Sequence, residues 1–328
     1  SGSAFECWYG GTERQTQPTY HTMETCVTFT WMQLCNRLLQ MTGNSLYADY
    51  METAIYNALM ASLKADASQI AKYSPLEGWR HEGEEQCDMH INCCNANGPR
   101  AFAMIPQFAY QVQDDCIRVN FYAPSEAELM LPGKKSVRLK QTTEYPATDQ
   151  IEIEVDPAKE TAFTIALRIP AWSEIAMVSV NGQPQDGVLQ GAYLPVNRKW
   201  KKGDRITVKL DLRARLVERN QAQAIVRGPL VLARDSRFGD GFVDETSVIV
   251  SKDGYVELTP VKAPSFAWLA FTAPMVLGTD LESNRTPKQI HFCDFASAGN
   301  TWDKTQRYRV WLPKTLNVMH SPYKPYNR

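Results

Sequence analysis

Ile91-Asn92-Cys93-Cys94-Asn95-Ala96-Asn97-Gly98-Pro99-Arg100 is the stretch on which the reading of this chain turns. It is taken together with Glu24-Thr25-Cys26 upstream. Two adjacent cysteines diverge on a regular strand or helix, so they reach one metal most easily from a bent loop. Asn-Ala-Asn-Gly-Pro has loop composition, and Pro99 suits the first turn of a following helix. A thiolate just ahead of a helix is favoured by the positive end of the helix dipole. Glu24 and Cys26, two apart, face the same way if they lie on an extended segment leading into a helix. One carboxylate and three thiolates then form a four-ligand zinc set: Glu24, Cys26, Cys93 and Cys94. Spacing alone equally allows a closed structural zinc site or a group of buried free thiols.

The 328 residues suffice for two or three domains with cores of their own. Apolar residues at 44% and charged ones at 22% are an ordinary globular mixture, which argues against disorder. A formal net charge of -1 gives no electrostatic case for nucleic acid or an anionic membrane. No apolar run approaches the ~20 residues that span a bilayer. Seven of the eight cysteines precede residue 117 and only Cys293 follows. That clustering fits metal binding or a reduced core better than a disulfide framework. It does not separate a periplasmic or secreted protein from a cytoplasmic one.

Residues 1 to about 22 lack periodicity and read as a loop holding Glu6 and Glu13. Val27, Trp31, Leu34, Cys35, Leu38 and Leu39 recur at helical spacing, with Gly43 as the stop. Met51, Ile55, Leu59 and Leu63 mark a second helix, and a polar loop then runs from Ser74 to the cysteine pair. A third helix is expected from Pro99 to about Gln111, kinked or ended by Pro106. From Cys116 the pattern changes to period-2 runs. These are expected as strands over 116–122, 128–131, 151–155, 163–169, 177–180, 205–210, 224–232, 248–250 and 255–258. Asn181-Gly182, Lys202-Gly203-Asp204 and Asp253-Gly254 supply the turns. Short strands at this spacing predict antiparallel β-sandwiches, with a looser stretch at 238–242 between two of them.

Glu-Thr-Cys ahead of a helix, Cys-Cys followed by Asn and Arg, the 38–52 and 56–59 runs, and Tyr73-Ser74-Pro75-Leu76 carry a resemblance. They resemble glycoside hydrolase family 127, the β-L-arabinofuranosidase family, over nearly the whole chain but only its back half. The resemblance implies an α+β multidomain fold. Residues 1–114 would be the last part of an (α/α)6-barrel catalytic domain. Residues 115–235 would be a β-sandwich, and 236–328 a second sandwich or an extension of the first. It implies a retaining hydrolase of plant-derived glycans in which zinc is held by Glu24, Cys26, Cys93 and Cys94. Cys93 would be the nucleophile, forming a thioglycosyl intermediate. Glu6 would be the acid/base, ahead of Glu13, which sits beside Arg14. Tyr73 would lie by the nucleophile and the sugar, or pack on the barrel wall.

His21 and His90 are lone histidines and are not taken as ligands. The implied partner is an oligosaccharide or glycoconjugate. Helix faces left bare by a missing barrel half would favour a homo-oligomer or an accompanying N-terminal chain. The competing reading is a non-catalytic carbohydrate-binding or scaffold fragment with a structural zinc.

Overall fold

The computed structural model describes residues 22–83, 92–278 and 286–315, with the backbone of a short hairpin, Ser3–Phe5 and Trp8–Tyr9. Over these residues the protein is mostly β-sheet. Three α-helices accompany the sheets: α1 (Thr25–Thr42), α2 (Leu46–Ala54) and α3 (Cys94–Ala109). The chain divides into two compact units. One comprises Ser1–Thr30, Ala54–Ala101 and Arg213–Arg328, the other Trp31–Thr53 and Phe102–Leu212.

In α1 the buried stripe is Met32, Cys35 and Leu39. Trp31 and Leu34, expected in that stripe, are instead exposed, as are Met41 on α1 and Leu46 and Tyr50 on α2. Gly43 stops α1 by adopting a left-handed conformation (φ 66°) and donating its N–H to the Leu39 carbonyl. Asn44 Oδ1 then accepts the Leu46 N–H and caps α2.

The unit containing Phe102–Leu212 has two sheets. The larger runs Gln183–Pro184, Met177–Val180, Asp204–Lys209, Gln150–Pro157, Lys135–Thr143, Ser125–Leu131. The smaller runs Ala192–Trp200, Thr161–Ile169, Cys116–Val119, Tyr110–Gln113. Alternate residues are buried, as in Ile151, Ile153 and Val155 against Ile206 and Val208. Pairing is antiparallel except between Cys116–Val119 and Thr161–Ile169, which run parallel, a departure from the purely antiparallel expectation. Asn181 and Gly182 both take positive φ (50° and 78°), the hairpin geometry their sequence predicts.

This unit also buries Arg168 completely. Its guanidinium meets Asp49 Oδ1 at 2.5 Å and Glu52 Oε1 at 2.6 Å, both from α2, while its Nε donates to the Asn120 carbonyl. Tyr145 donates its hydroxyl to Glu52 and Ala171 its N–H to Asp49, so both carboxylates have further donors. Removing one partner of such a buried network strands the others.

The other unit is built on one long sheet. Its order is Ser247–Ile249, Ala270–Leu277, Lys288–Asp294, Leu230–Asp235, Ala222–Arg227, Ala214–Arg219, Tyr255–Val256. Its core is Leu230, Leu232, Ile249, Phe271, Met275, Ile290, Phe292 and neighbours. The single strand expected over 224–232 is two strands joined at Gly228-Pro229, with Gly228 at φ 56°. The Gly-Pro pair is the turn signal that an apolar run conceals.

The stretch after Ser74, expected as a polar loop, is also partly a strand. Glu77–Gly78 pairs with Tyr308–Arg309. Arg80 is fully buried, donates to the Phe295 and Ala296 carbonyls, and lies over the rings of Phe295 and Tyr308.

Two outcomes follow from these buried charges. Arg168→Met lowers the unfolding free energy by about 3–5 kcal/mol in denaturant melts, since Asp49 and Glu52 lose their counter-charge. Glu77 is the second. Burial pushes its carboxyl up to about 7, opposed by Arg309 at 3.0 Å and reinforced by Asp244. The native state therefore holds the proton more tightly than the unfolded chain. This contribution is full below the ordinary value of 4.5 and is lost as pH rises through about 7. Glu77→Gln accordingly gains stability relative to the wild type between those two pH values, read as the difference in denaturation midpoints.

Candidate metal centre

Two helix starts converge on the site. The chain bends at Met23, whose φ of 53° is seldom taken by a residue with a side chain. Glu24 then precedes α1 and Cys26 is its second residue. The Glu24 carbonyl accepts the N–H and the hydroxyl of Thr28.

On the other side, Asn92 Oδ1 accepts the Cys94 N–H at 3.0 Å, an N-cap that starts α3. Ala96 and Asn97 donate their N–H groups to the Cys93 carbonyl. Asn95-Ala96-Asn97-Gly98-Pro99 is therefore helix, not the bent loop expected, and Pro99 lies beyond the first turn. The adjacent cysteines converge because they straddle the helix start, where the chain has not yet taken up the regular turn. Pro99 and Asn95 are both exposed, so water can serve the Asn95 carbonyl that proline's missing N–H leaves open. Pro106 likewise does not end α3, which continues to Ala109.

A third segment ties the two starts together. Lys72 accepts the Thr25 N–H on its carbonyl at 2.9 Å, and the Cys94 thiol points at the same oxygen from 3.8 Å. Thr25 Oγ1 donates to the Ala71 carbonyl, and Ser74 donates its N–H to Thr22.

These contacts bring Glu24, Cys26, Cys93 and Cys94 together, with one donor atom from each inside 4.8 Å of all the others. Cys26 Sγ lies 3.0 Å from Cys93 Sγ and 3.2 Å from Cys94 Sγ. All three sulfurs are free thiols. Glu24 and Cys94 are buried, whereas Cys26 and Cys93 are part-exposed. Burial and the Cys26 sulfur push the Cys93 thiol up to about 12. The Cys26 contact and burial push Cys94 higher still.

With their pKa values raised in this way, the Cys93 and Cys94 thiols keep their protons unless a cation is present, and a coordinating thiol is deprotonated outright. The donor chemistry fits zinc. A tetrahedral ion with Zn–S bonds of about 2.3 Å holds sulfurs about 3.8 Å apart, so a small outward turn of the side chains admits it.

Tyr73 is buried, with the Lys72 ammonium 5.7 Å from its ring centre. Glu6, Glu13, His21 and His90 lie outside the described residues. A polar partner not foreseen in the sequence is Asn97, whose Nδ2 donates to Cys26 Sγ at 3.2 Å. Its spacing, four residues beyond Cys93, was the available signal.

Comparison with known proteins gives a consistent family. Residues 2–107 match the model of the GH127 β-L-arabinofuranosidase catalytic domain, and residues 116–212 that of the GH127 middle domain. A non-reducing end β-L-arabinofuranosidase of Bifidobacterium longum subsp. longum is 27% identical over 236 residues, covering 63% of this chain and 34% of that protein. A crystal structure of a GH127 β-L-arabinofuranosidase from Geobacillus stearothermophilus T6 superposes with TM-score 0.75 at 22% identity. That match covers 91% of this chain and 50% of the other. A solved GH127 β-arabinofuranosidase superposes with the same score at 23% identity, covering 91% and 50%. The chain belongs to glycoside hydrolase family 127. It spans about half the length of these solved relatives and about a third of the curated one.

Zinc titrated into the metal-free protein is expected to bind at one per chain and to release about three protons at neutral pH, one per thiol. Calorimetry in buffers of different ionisation enthalpy reads that number. Cys94→Ala abolishes tight binding in the same assay.

Proposed function

We propose that this chain forms the metal-bearing part of a retaining glycoside hydrolase that cleaves β-L-arabinofuranosides in plant-derived glycans. On this reading residues 1–114 contribute to an (α/α)6-barrel catalytic domain, followed by β-sandwich parts over 115–235 and 236–328. The observation that carries the reading is the convergence of Glu24, Cys26, Cys93 and Cys94 within 4.8 Å, with Cys93 part-exposed and Cys94 buried. A substrate can reach the first sulfur of the pair and not the second.

In the proposed reaction Glu24, Cys26, Cys93 and Cys94 would hold zinc, which would supply the charge that keeps the thiols ionised at neutral pH. The Cys93 sulfur attacks the anomeric carbon, the C–O bond to the leaving group breaks, and Glu6 protonates the departing oxygen. Water, deprotonated by Glu6, then displaces the sulfur from the sugar and restores the thiolate. Two inversions give net retention. Tyr73 donates its hydroxyl toward the sugar. The fully buried position of Cys94 suits a ligand that only holds.

A second reading is a carbohydrate-binding or scaffold piece whose zinc is structural, and the four-donor set Glu24, Cys26, Cys93 and Cys94 favours it. A saturated four-ligand site is the usual structural arrangement.

The test is nitrophenol release from p-nitrophenyl β-L-arabinofuranoside by the full-length protein, with zinc content measured in parallel. Cys93→Ala is expected to lower kcat by about 10³-fold or more, as loss of a nucleophile does. Proton NMR of the first product is expected to show the β anomer. Undiminished turnover by Cys93→Ala overturns the assignment, and stoichiometric zinc without turnover selects the structural reading.

A further inference from the structure

The four ligands carry more negative charge than one zinc ion neutralises. A carboxylate and three thiolates around a dication leave a net charge of about −2, so donors aimed at the sulfurs are stabilising. Resting on the metal reading above, we propose that Asn97 is a positioning residue of this centre, its carboxamide holding the Cys26 sulfur and drawing charge from it.

The geometry is specific. Asn97 lies four residues after Cys93 and three after Cys94, one turn along the same face of α3. Its Nδ2 is 3.2 Å from Cys26 Sγ, on α1. Arg100, one turn further, donates from Nη1 to Asn97 Oδ1 at 3.4 Å. An arginine has no acceptor, so this contact fixes the amide with its oxygen toward Arg100 and its NH2 toward the sulfur. A Cβ added at the next residue, Gly98, would lie 2.8 Å from Ile70 Cγ2, so this turn of α3 sits hard against its neighbour. The Asn97 backbone is therefore placed by packing.

The consequence is a link between the two ligand-bearing helices that runs through a ligand. Cys26 comes from α1, while the amide that bonds it comes from α3 beside Cys93 and Cys94. A neutral donor suits this place. An aspartate would add a fifth anionic group, and a lysine would remove the charge with which the sulfurs attract the metal.

The experiment is titration of cobalt(II) into the metal-free, full-length protein, following the thiolate-to-metal charge-transfer absorption. An N–H···S bond lowers the energy of the sulfur lone pair. Asn97→Ala should therefore move the band to lower energy and raise the cobalt Kd about 10- to 100-fold, the usual cost of losing an outer-shell partner. Asn97→Asp, the same shape with an acceptor in place of the donor, should weaken binding at least as far. Arg100→Met should fall between the wild type and Asn97→Ala. Asn95→Ala, an exposed change on the same turn, should alter neither quantity.

An unmoved band in Asn97→Ala and Asn97→Asp overturns the proposal whether or not affinity changes, because a packing role alone leaves the band where it is. Arg100 is exposed, so Arg100→Met decides the question should the Asn97 variants fail to fold, and an unmoved band there also counts against the proposal. Failure of the wild type to bind cobalt ends the metal reading itself, an outcome distinct from a wild-type band that the variants do not shift.

Discussion

The carbonyl oxygen of Lys72 is the point on which the candidate centre depends. It takes the Thr25 N–H from one side and faces the Cys94 thiol from the other. Glu24-Thr25-Cys26 and Cys93-Cys94 are far apart in sequence, and the Cys94 sulfur also meets the Cys26 backbone. They meet because both dock on the segment Ala71–Ser74. A backbone carbonyl is well suited to this. It has two lone pairs, cannot be changed by substitution of its own side chain, and cannot be buried without partners. The geometry of the candidate centre thus rests on main-chain hydrogen bonding as well as on the contacts between cysteine side chains.

The same segment is anchored further on. Glu77–Gly78 pairs with Tyr308–Arg309, Val310 donates its N–H to Leu76, and Tyr308 donates its hydroxyl to the Pro75 carbonyl. Arg80, fully buried, spends its charge on the Phe295 and Ala296 carbonyls and on two aromatic faces. A guanidinium tolerates such a place because it is weakly hydrated and planar. Arg168 in the other unit makes the opposite choice and takes two carboxylates. Each of these two arginines joins segments distant in sequence: Arg80 joins the loop before the cysteine pair to the late β-strands, and Arg168 joins α2 to a strand.

Some of this was readable along the chain. Helical spacing located α1, and Gly43 marked its end. The Asn181-Gly182 hairpin needs positive φ at both positions, which those residues accept, so the turn was visible without any partner. The period-2 runs located strands such as Gln150–Pro157 and Thr161–Ile169, but not Ala192–Trp200, Ala270–Leu277 or Lys288–Asp294. What failed did so for local reasons. The 224–232 run hid a turn at Gly228-Pro229. Lys135–Thr143 was missed because its outward face is charged and only Val137, Leu139 and Gln141 are buried. On α1 the apolar residues occupy more than one face, so spacing could not say that Met32, Cys35 and Leu39 would be inside while Trp31 and Leu34 stayed out.

By itself the sequence determined which atoms could bind a metal: three sulfurs and a carboxylate in two short motifs, with the composition to fold around them. Donor type is a property of the side chain and needs no fold. Only the tertiary structure decided that the cysteine pair opens a helix capped by Asn92, that Cys94 is buried while Cys93 is not, and that Asn97 faces Cys26. Apart from the Asn92 cap, which is local, those are relations between segments about seventy residues apart. They are set by hydrogen bonds to a third segment, which no spacing along the chain encodes.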